Sequence, residues 1–150
     1  DSFLRKTWLE CCGHLSMFTI RGEVYDVSPD PDAWTGRKPK GMSAKLGDVL
    51  APGDKFTHEY DFGTTTELAL KVVAAYSGAG KSIQILARND SPNIPCAVCG
   101  KPAAQVCSQC VYEGPQAWLC AEHALEHGCG GDYFLPVVNS PRVGMCGYTG

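Results

Sequence analysis

Residues 96–129 read CAVCGKPAAQVCSQCVYEGPQAWLCAEHALEHGC, and the spacing of their cysteine and histidine residues indicates how the second half of the chain folds. Two C-x-x-C pairs are followed by a C-x-x-H and an H-x-C spacing. A backbone turn over C-x-x-C presents two thiolates to one tetrahedral ion, and the later cysteine and histidine residues supply the ligands that complete a closed site. The spacing therefore predicts structural zinc sites.

The predicted ligands divide into two groups that alternate along the chain, a cross-brace that resembles B-box-like fingers. Gly100 follows the first C-x-x-C pair and permits the tight turn that points backbone amides at both sulfurs. Cys120 and His123 are spaced to lie at the first turn of a helix, and His127 lies one turn further on the same face. We predict one zinc ion held by Cys96, Cys99, Cys120 and His123, and a second held by Cys107, Cys110, His127 and Cys129.

Several alternatives bear on this assignment. Cys146 competes with Cys129 for the eighth ligand position. A single-ion ribbon would use the two C-x-x-C pairs alone, but it would leave Cys120, His123 and His127 without a role. A redox pair or a disulfide framework fits the spacing and the odd count of nine cysteines less well. A catalytic zinc keeps an open position for water, whereas this array can fill every position with protein ligands.

The first part of the chain is predicted to be α+β: an antiparallel β-meander sheet with an N-terminal helix packed on it, over residues 1–90. Helical spacing of apolar residues predicts that helix from Asp1 or Ser2 to Gly13. Residues 91–150 are predicted to be the zinc-binding region. Alternating patterns predict strands at 15–20, 24–27, 56–62, 68–73 and 82–88, with turns at Arg21-Gly22 and at 77–80. An exposed loop is predicted at 28–41 and a short helix at 43–50.

Four further residues with reactive side chains are interpreted structurally. Cys11 and Cys12 fall inside the predicted first helix, where the default for a free cysteine is a small buried hydrophobe. His14 is predicted to cap the helix or to lie in the core. His58 alternates with aromatic residues in a predicted strand, and a hydrogen-bonded core role is expected for it.

Composition limits the classes of partner. The formal net charge of −3 gives no general attraction to phosphate polymers, so a nucleic-acid role would need a local basic patch. The residues available for such a patch are Arg37, Lys38, Lys40 and Arg142. The sequence shows no apolar run long enough to cross a bilayer and no secretory leader, so we expect a cytoplasmic protein without a membrane partner and with reduced cysteines.

Three segments carry a resemblance to a known family: residues 8–20 (WLECCGHLSMFTI), 53–63 (GDKFTHEYDFG) and 139–148 (NSPRVGMCGY). They resemble the Ri-plasmid ORF-three-like family, whose members are also labelled TnpR-like passenger proteins of insertion elements. The resemblance extends over essentially the whole chain and is to the zinc-bearing branch. Residues 64–68 replace the family's usual D-x-W-E-H continuation. The resemblance implies a mixed α/β domain associated with plasmids and other mobile elements.

The sequence contains no nucleophile paired with a base and no phosphate-binding glycine loop. We therefore expect a non-enzymatic zinc-containing binding or adaptor module with two structural zinc ions and a protein partner. The alternative is a nucleic-acid-associated protein of mobile-element context, and a metal-dependent hydrolase is a further alternative.

Overall fold

The computed structural model describes residues 1–30, 38–78 and 82–150. Its contacts divide the chain into two compact units, one of residues 1–3 with 13–84 and the other of residues 4–12 with 85–150. The fold is α+β, as the sequence predicted, and these described residues form short helices and two sheets. Folding of residues 1–90 and 91–150 as separate domains stays a prediction.

A five-stranded sheet forms the first unit, with the strand order β3-β2-β1-β4-β5. All pairs are antiparallel except β2 with β3. Strand β1 is central because it pairs with β2 on one side and with β4 on the other. The order of the strands in the sheet therefore differs from their order in the chain, and the sheet is not a simple meander. The strands are β1 Ser16–Ile20, β2 Glu23–Asp26, β3 Lys40–Gly41, β4 Lys55–Tyr60 and β5 Thr66–Lys71.

The turn between β1 and β2 follows directly from two residues. Arg21 and Gly22 both have positive φ angles, of 50° and 79°. A two-residue turn with both φ angles positive matches the right-handed twist of the flanking strands, and glycine adopts this conformation without steric cost. The predicted Arg21-Gly22 turn is therefore confirmed.

Buried side chains of β4 form the core of this sheet. His58 and Tyr60 are fully buried, and the His58 ring packs 4.5 Å from the ring of Phe18 across the β1–β4 pair. His58 Nε2 lies 3.0 Å from Asp1 Oδ1, which also accepts a hydrogen bond from the Ser16 hydroxyl at 2.8 Å. The predicted hydrogen-bonded core role of His58 is confirmed.

The helices are shorter than the patterns predicted. Helix α1 spans Ser2–Leu4 and continues as a π-helical turn over Arg5–Leu9. The chain is extended at Glu10, so the prediction that Cys11 and Cys12 lie in the helix is wrong. Helix α2 spans Leu46–Val49, within the predicted 43–50.

Two strand predictions also need correction. Strand β4 ends at Tyr60, and Phe62 is 45% exposed rather than part of the buried face, because Asp61 adopts a positive φ and ends the extended backbone. No strand forms over residues 82–88, all of which the structure describes. Ile83 and Leu86 are 67% and 91% exposed. An alternating pattern gives a strand only where a neighbouring strand supplies hydrogen bonds.

The expected loop at 28–41 lies partly outside the described residues, which omit 31–37. Its last two residues form strand β3, which pairs with β2 in parallel register. The predicted turn at 77–80 also extends beyond the described residues.

The second unit contains a three-stranded antiparallel sheet in the order β7-β6-β8. Its buried cluster consists of Cys96, Leu119, Cys120 and Ala124, with Phe134 packed against it. Such a cluster is small for a stable domain, and domains of this size commonly depend on a metal. The elements are β6 Gln105–Cys107, a 3₁₀ turn Pro115–Ala117, β7 Trp118–Leu119, α3 Ala121–Leu125, a 3₁₀ turn Gly131–Tyr133 and β8 Phe134–Pro136.

Candidate metal centre

The second unit brings cysteine and histidine side chains together in three places. Within each group the potential ligand atoms lie within 4.8 Å of one another, a separation that could hold a metal ion. All nine cysteines lie in the described part of the chain, and none forms a disulfide. The groups are Cys96, Cys99, Cys120 and His123; Cys107, Cys110, His127 and Cys129; and the cysteines Cys11, Cys12 and Cys146.

The first group joins a turn to the start of helix α3. Cys99 Sγ lies 3.8 Å from Cys120 Sγ, and His123 Nδ1 lies 3.6 Å from Cys96 Sγ. A tetrahedral zinc ion with Zn–S bonds of about 2.3 Å and Zn–N bonds of about 2.0 Å places two sulfurs about 3.8 Å apart, and a sulfur and a nitrogen about 3.5 Å apart. The observed separations match that geometry.

Backbone hydrogen bonds hold the first C-x-x-C turn in shape. The Cys96 amide donates to the Lys101 carbonyl at 2.7 Å, and the Gly100 amide donates to the Cys96 carbonyl at 2.9 Å, with Gly100 at a φ of 72°. Burial would raise the pKa of Cys96, but the amides of Cys120, Cys99 and Val98 outweigh burial and lower it to about 6. The turn thus favours the thiolate form that binds metal.

The start of helix α3 positions the other two ligands of this group, Cys120 and His123. Cys120 is the residue before its first turn, and His123 lies within that turn. The backbone N–H of His123 lowers the pKa of the Cys120 thiol, and the His123 side chain lowers it further. The helix start therefore favours a thiolate in the position where a ligand is needed.

The second group has a similar construction on strand β6. Cys107 is fully buried, Cys110 Sγ lies 3.5 Å from His127 Nε2, and it lies 3.6 Å from Cys129 Sγ. The Cys129 thiol raises the pKa of Cys110 to about 12, and burial and the Cys107 thiol act in the same direction. Several thiolates this close repel one another, so full ionisation of the group requires a bound cation.

The structure brings the eight sequence-predicted residues together in the two predicted groups of four. Of the two cysteines that the sequence offers as the eighth ligand, Cys129 lies with the second group and Cys146 does not. Zinc as the bound ion, and two as the number of ions in this region, stay predictions.

Sequence reasoning missed the third group. Cys12 Sγ lies 3.6 Å from Cys11 Sγ and 3.4 Å from Cys146 Sγ. Cys12 and Cys146 are 134 positions apart, so no short sequence spacing indicates that they are neighbours. A signal was nevertheless available, because the eight predicted ligands use six of the nine cysteines and leave these three. The expectation of two metal positions is therefore corrected: the part of the chain that the structure describes contains three groups that could each hold an ion.

Three of the four basic residues considered for nucleic-acid binding lie in the described part of the chain, namely Lys38, Lys40 and Arg142. Arg142 is fully buried, and its Nη2 donates to Cys11 Sγ at 3.4 Å. Lys40 Nζ lies 3.1 Å from a Glu23 carboxylate oxygen and packs over the Tyr25 ring. Arg37 lies outside the described residues, so Lys38 is the remaining candidate for a phosphate contact.

No protein-family model, curated protein or solved structure matches the chain. In residues 1–30, 38–78 and 82–150, no helix combines the length and apolar character needed to cross a membrane. A function for this chain is therefore inferred from the geometry of the candidate metal ligands.

Proposed function

We propose that residues 96–129 bind two structural zinc ions and form a non-enzymatic module that binds a protein partner. One observation carries the proposal: two groups of four protein ligands, drawn from pairs that alternate along the sequence, each have their ligand atoms within 4.8 Å of one another, as a closed tetrahedral site requires. A filled set of four protein ligands leaves no position for a reacting water, which argues for a structural rather than a hydrolytic role.

The energetics of the region support a structural role for the ions. Its strands are two or three residues long and its buried cluster contains four residues. Structural zinc contributes about 10–16 kcal/mol of apparent binding free energy in finger peptides near neutral pH, and this energy acts as folding energy. Binding of two ions would supply the stability that the apolar core lacks.

Exposed apolar side chains on the same region offer contacts for a protein. Leu125 on helix α3 is 89% exposed, Val98 in the first C-x-x-C turn is 66% exposed, and Tyr112 is 64% exposed. Protein interfaces are enriched in aromatic and apolar residues and depleted in charge at their centres. We propose that these side chains contact the partner.

A matched pair of variants tests this surface. Leu125→Lys changes an exposed leucine of the zinc region, and Leu46→Lys changes a leucine that is 65% exposed in the first unit. Proteins captured from an extract of the source cells by the wild type and by Leu46→Lys, but lost with Leu125→Lys at unchanged zinc content, are the expected result. Equal capture by all three proteins would contradict the proposed surface.

The remaining proposals concern biological context. We propose a reducing compartment, the cytoplasm, because a zinc role requires cysteine thiolates rather than disulfides. Membership of the ORF-three-like family and a mobile-element context rest on the three sequence segments described above. A salt titration with duplex DNA or RNA separates the protein-binding role from a nucleic-acid role, since phosphate contacts weaken steeply as salt rises.

A further inference from the structure

We propose that Cys11, Cys12 and Cys146 form a third metal site, which holds a thiophilic divalent ion and links residues 4–12 to the turn that carries Cys146. This site lies outside the two groups of residues 96–129. It differs from them because most of its sulfur ligands are exposed.

Ligand separations are the first argument. The Cys11–Cys12 and Cys12–Cys146 sulfur separations are 3.6 and 3.4 Å, close to those within the two four-ligand groups. They exceed a disulfide bond of about 2.05 Å and approach the sulfur–sulfur separation of about 3.8 Å in a tetrahedral thiolate site.

The backbone around Cys146 supplies the second argument. Cys146 has a φ of 48°, between Gly144 at 81° and Gly147 at 70°. A non-glycine residue with positive φ is strained, and such strain persists where the surroundings enforce it, often at binding sites. Two turn hydrogen bonds hold the segment, from the Met145 amide to the Arg142 carbonyl at 3.0 Å and from the Tyr148 amide to the Met145 carbonyl at 2.8 Å.

Charge balance is the third argument. Arg142 is fully buried, and its guanidinium donates to Cys11 Sγ at 3.4 Å. A buried cation is costly unless negative charge compensates it. Three thiolates with one divalent ion carry a single net negative charge, which the guanidinium neutralises. The contact of Arg142 with Cys11 Sγ is therefore compatible in charge with a metal-loaded thiolate site.

Further contacts hold the segment before Cys11 in place. The Ser140 hydroxyl donates to the Trp8 carbonyl at 2.6 Å and accepts a hydrogen bond from the Arg142 amide at 2.9 Å. The Arg88 guanidinium lies 5.9 Å from the centre of the Trp8 ring. These contacts position the backbone that presents the two adjacent thiols, as outer hydrogen bonds do in metal sites.

Exposure predicts how the third ion behaves. Two of the three cysteines of this site, Cys12 and Cys146, are exposed, whereas among the six cysteines of the other groups only Cys99 is exposed. An ion held largely by exposed ligands is open to competing chelators. We therefore expect the third ion to be removed first and the two ions of residues 96–129 to remain.

The test uses the full chain loaded with cadmium-113 under reducing conditions, because each cadmium site gives its own resonance and sulfur ligands shift it characteristically. We expect three resonances for the wild type. Cys12→Ala, which changes an exposed side chain, and Cys146→Ser should each remove the same resonance and leave the other two. Cys99→Ser should instead affect the resonances of residues 96–129. A limiting amount of chelator should remove the resonance that Cys12→Ala abolishes.

Failure of this proposal is distinguishable from failure of the zinc module. Two resonances that persist in both Cys12→Ala and Cys146→Ser, with alkylation of Cys11, Cys12 and Cys146 unaffected by cadmium, would overturn the third site and leave the module intact. A Cys12–Cys146 disulfide in protein purified with reductant and metal would also overturn it. A single resonance that Cys12→Ala abolishes would support the third site and count against the module.

Discussion

Cys99 Sγ lies 3.8 Å from Cys120 Sγ, although the two residues are 21 positions apart in the sequence. The first belongs to a turn and the second begins helix α3, so their proximity joins two parts of the region that share few other buried side chains. An ion held between them would close a loop containing strands β6 and β7, and its loss should therefore affect the whole region.

Cys99→Ser should unfold residues 96–129 and remove the ions that this stretch binds, because the closed loop is released. Strands β1, β2, β4 and β5 should keep their amide protection, since their hydrogen bonds are made within the first sheet. Elemental analysis and hydrogen exchange measure the two effects. Equal loss of protection throughout the chain would show that the sheet depends on the zinc region.

Tyr60→Ala should reduce the free energy of unfolding by about 3–5 kcal/mol, the usual cost of truncating a large buried aromatic residue. Tyr60 is fully buried, whereas Phe62 is 45% exposed two residues later. Phe62→Ala is therefore the matched control and should cost less. Denaturant unfolding compares them, and a similar loss for both variants would contradict the burial assignment.

Gly144→Ala should destabilise the protein for two reasons. Its φ of 81° is unfavourable for alanine, and a Cβ atom there would lie 3.1 Å from Val111 Cγ2 and 3.3 Å from Val106 Cγ1. Gly130 has a φ of 80° and no atom within 4 Å of the added Cβ position, so Gly130→Ala carries the backbone cost alone. Backbone strain of this kind costs about 1–3 kcal/mol. Thermal melting should show the larger loss for Gly144→Ala, and equal losses would exclude the steric contribution.

Asp54 should contribute to the acid sensitivity of the sheet. The Ala51 amide, which donates to Asp54 Oδ2 at 2.7 Å, lowers the pKa of Asp54, and the Arg21 guanidinium at 2.6 Å acts in the same direction against burial. A folded-state pKa below the ordinary value of 3.8 stabilises the fold above that pH. This contribution is lost as the pH falls from near 3.8 through the lowered pKa.

Asp54→Asn removes this contribution, and its stability should therefore fall less steeply than that of the wild type as the pH is lowered below about 4. Denaturant midpoints across this pH range measure the difference. Parallel pH profiles for the two proteins would show that Asp54 does not take part in acid unfolding.

Local patterns predicted the fold where neighbouring residues decide the conformation. The Arg21-Gly22 turn requires positive φ angles over two residues, and the alternation in β4 matches its buried side chains. The alternating pattern at 82–88 is equally typical of a strand. A strand also needs a neighbouring strand to pair with, and the sequence of residues 82–88 does not indicate whether one is present. The conformation of that segment therefore depends on long-range contacts rather than on its local pattern.

The candidate sites divide in the same way. Short C-x-x-C and C-x-x-H spacings grouped Cys96, Cys99, Cys120 and His123 correctly in space, because the turn and the helix fix each pair locally. The approach of Cys146 to Cys12 arises from long-range folding and leaves no spacing to read.

The alternating order of the two four-ligand groups has a consequence for synthesis on the ribosome. The first group is incomplete until His123 has been made, and the second until Cys129 has been made. Both groups are therefore completed within a few residues of each other, near the end of translation of this region. When His123 has just been made, the emerging chain already carries five of the six cysteines of the two groups, and the second group still lacks His127 and Cys129. Metal ions would therefore enter the two groups at nearly the same point of synthesis rather than one group well after the other.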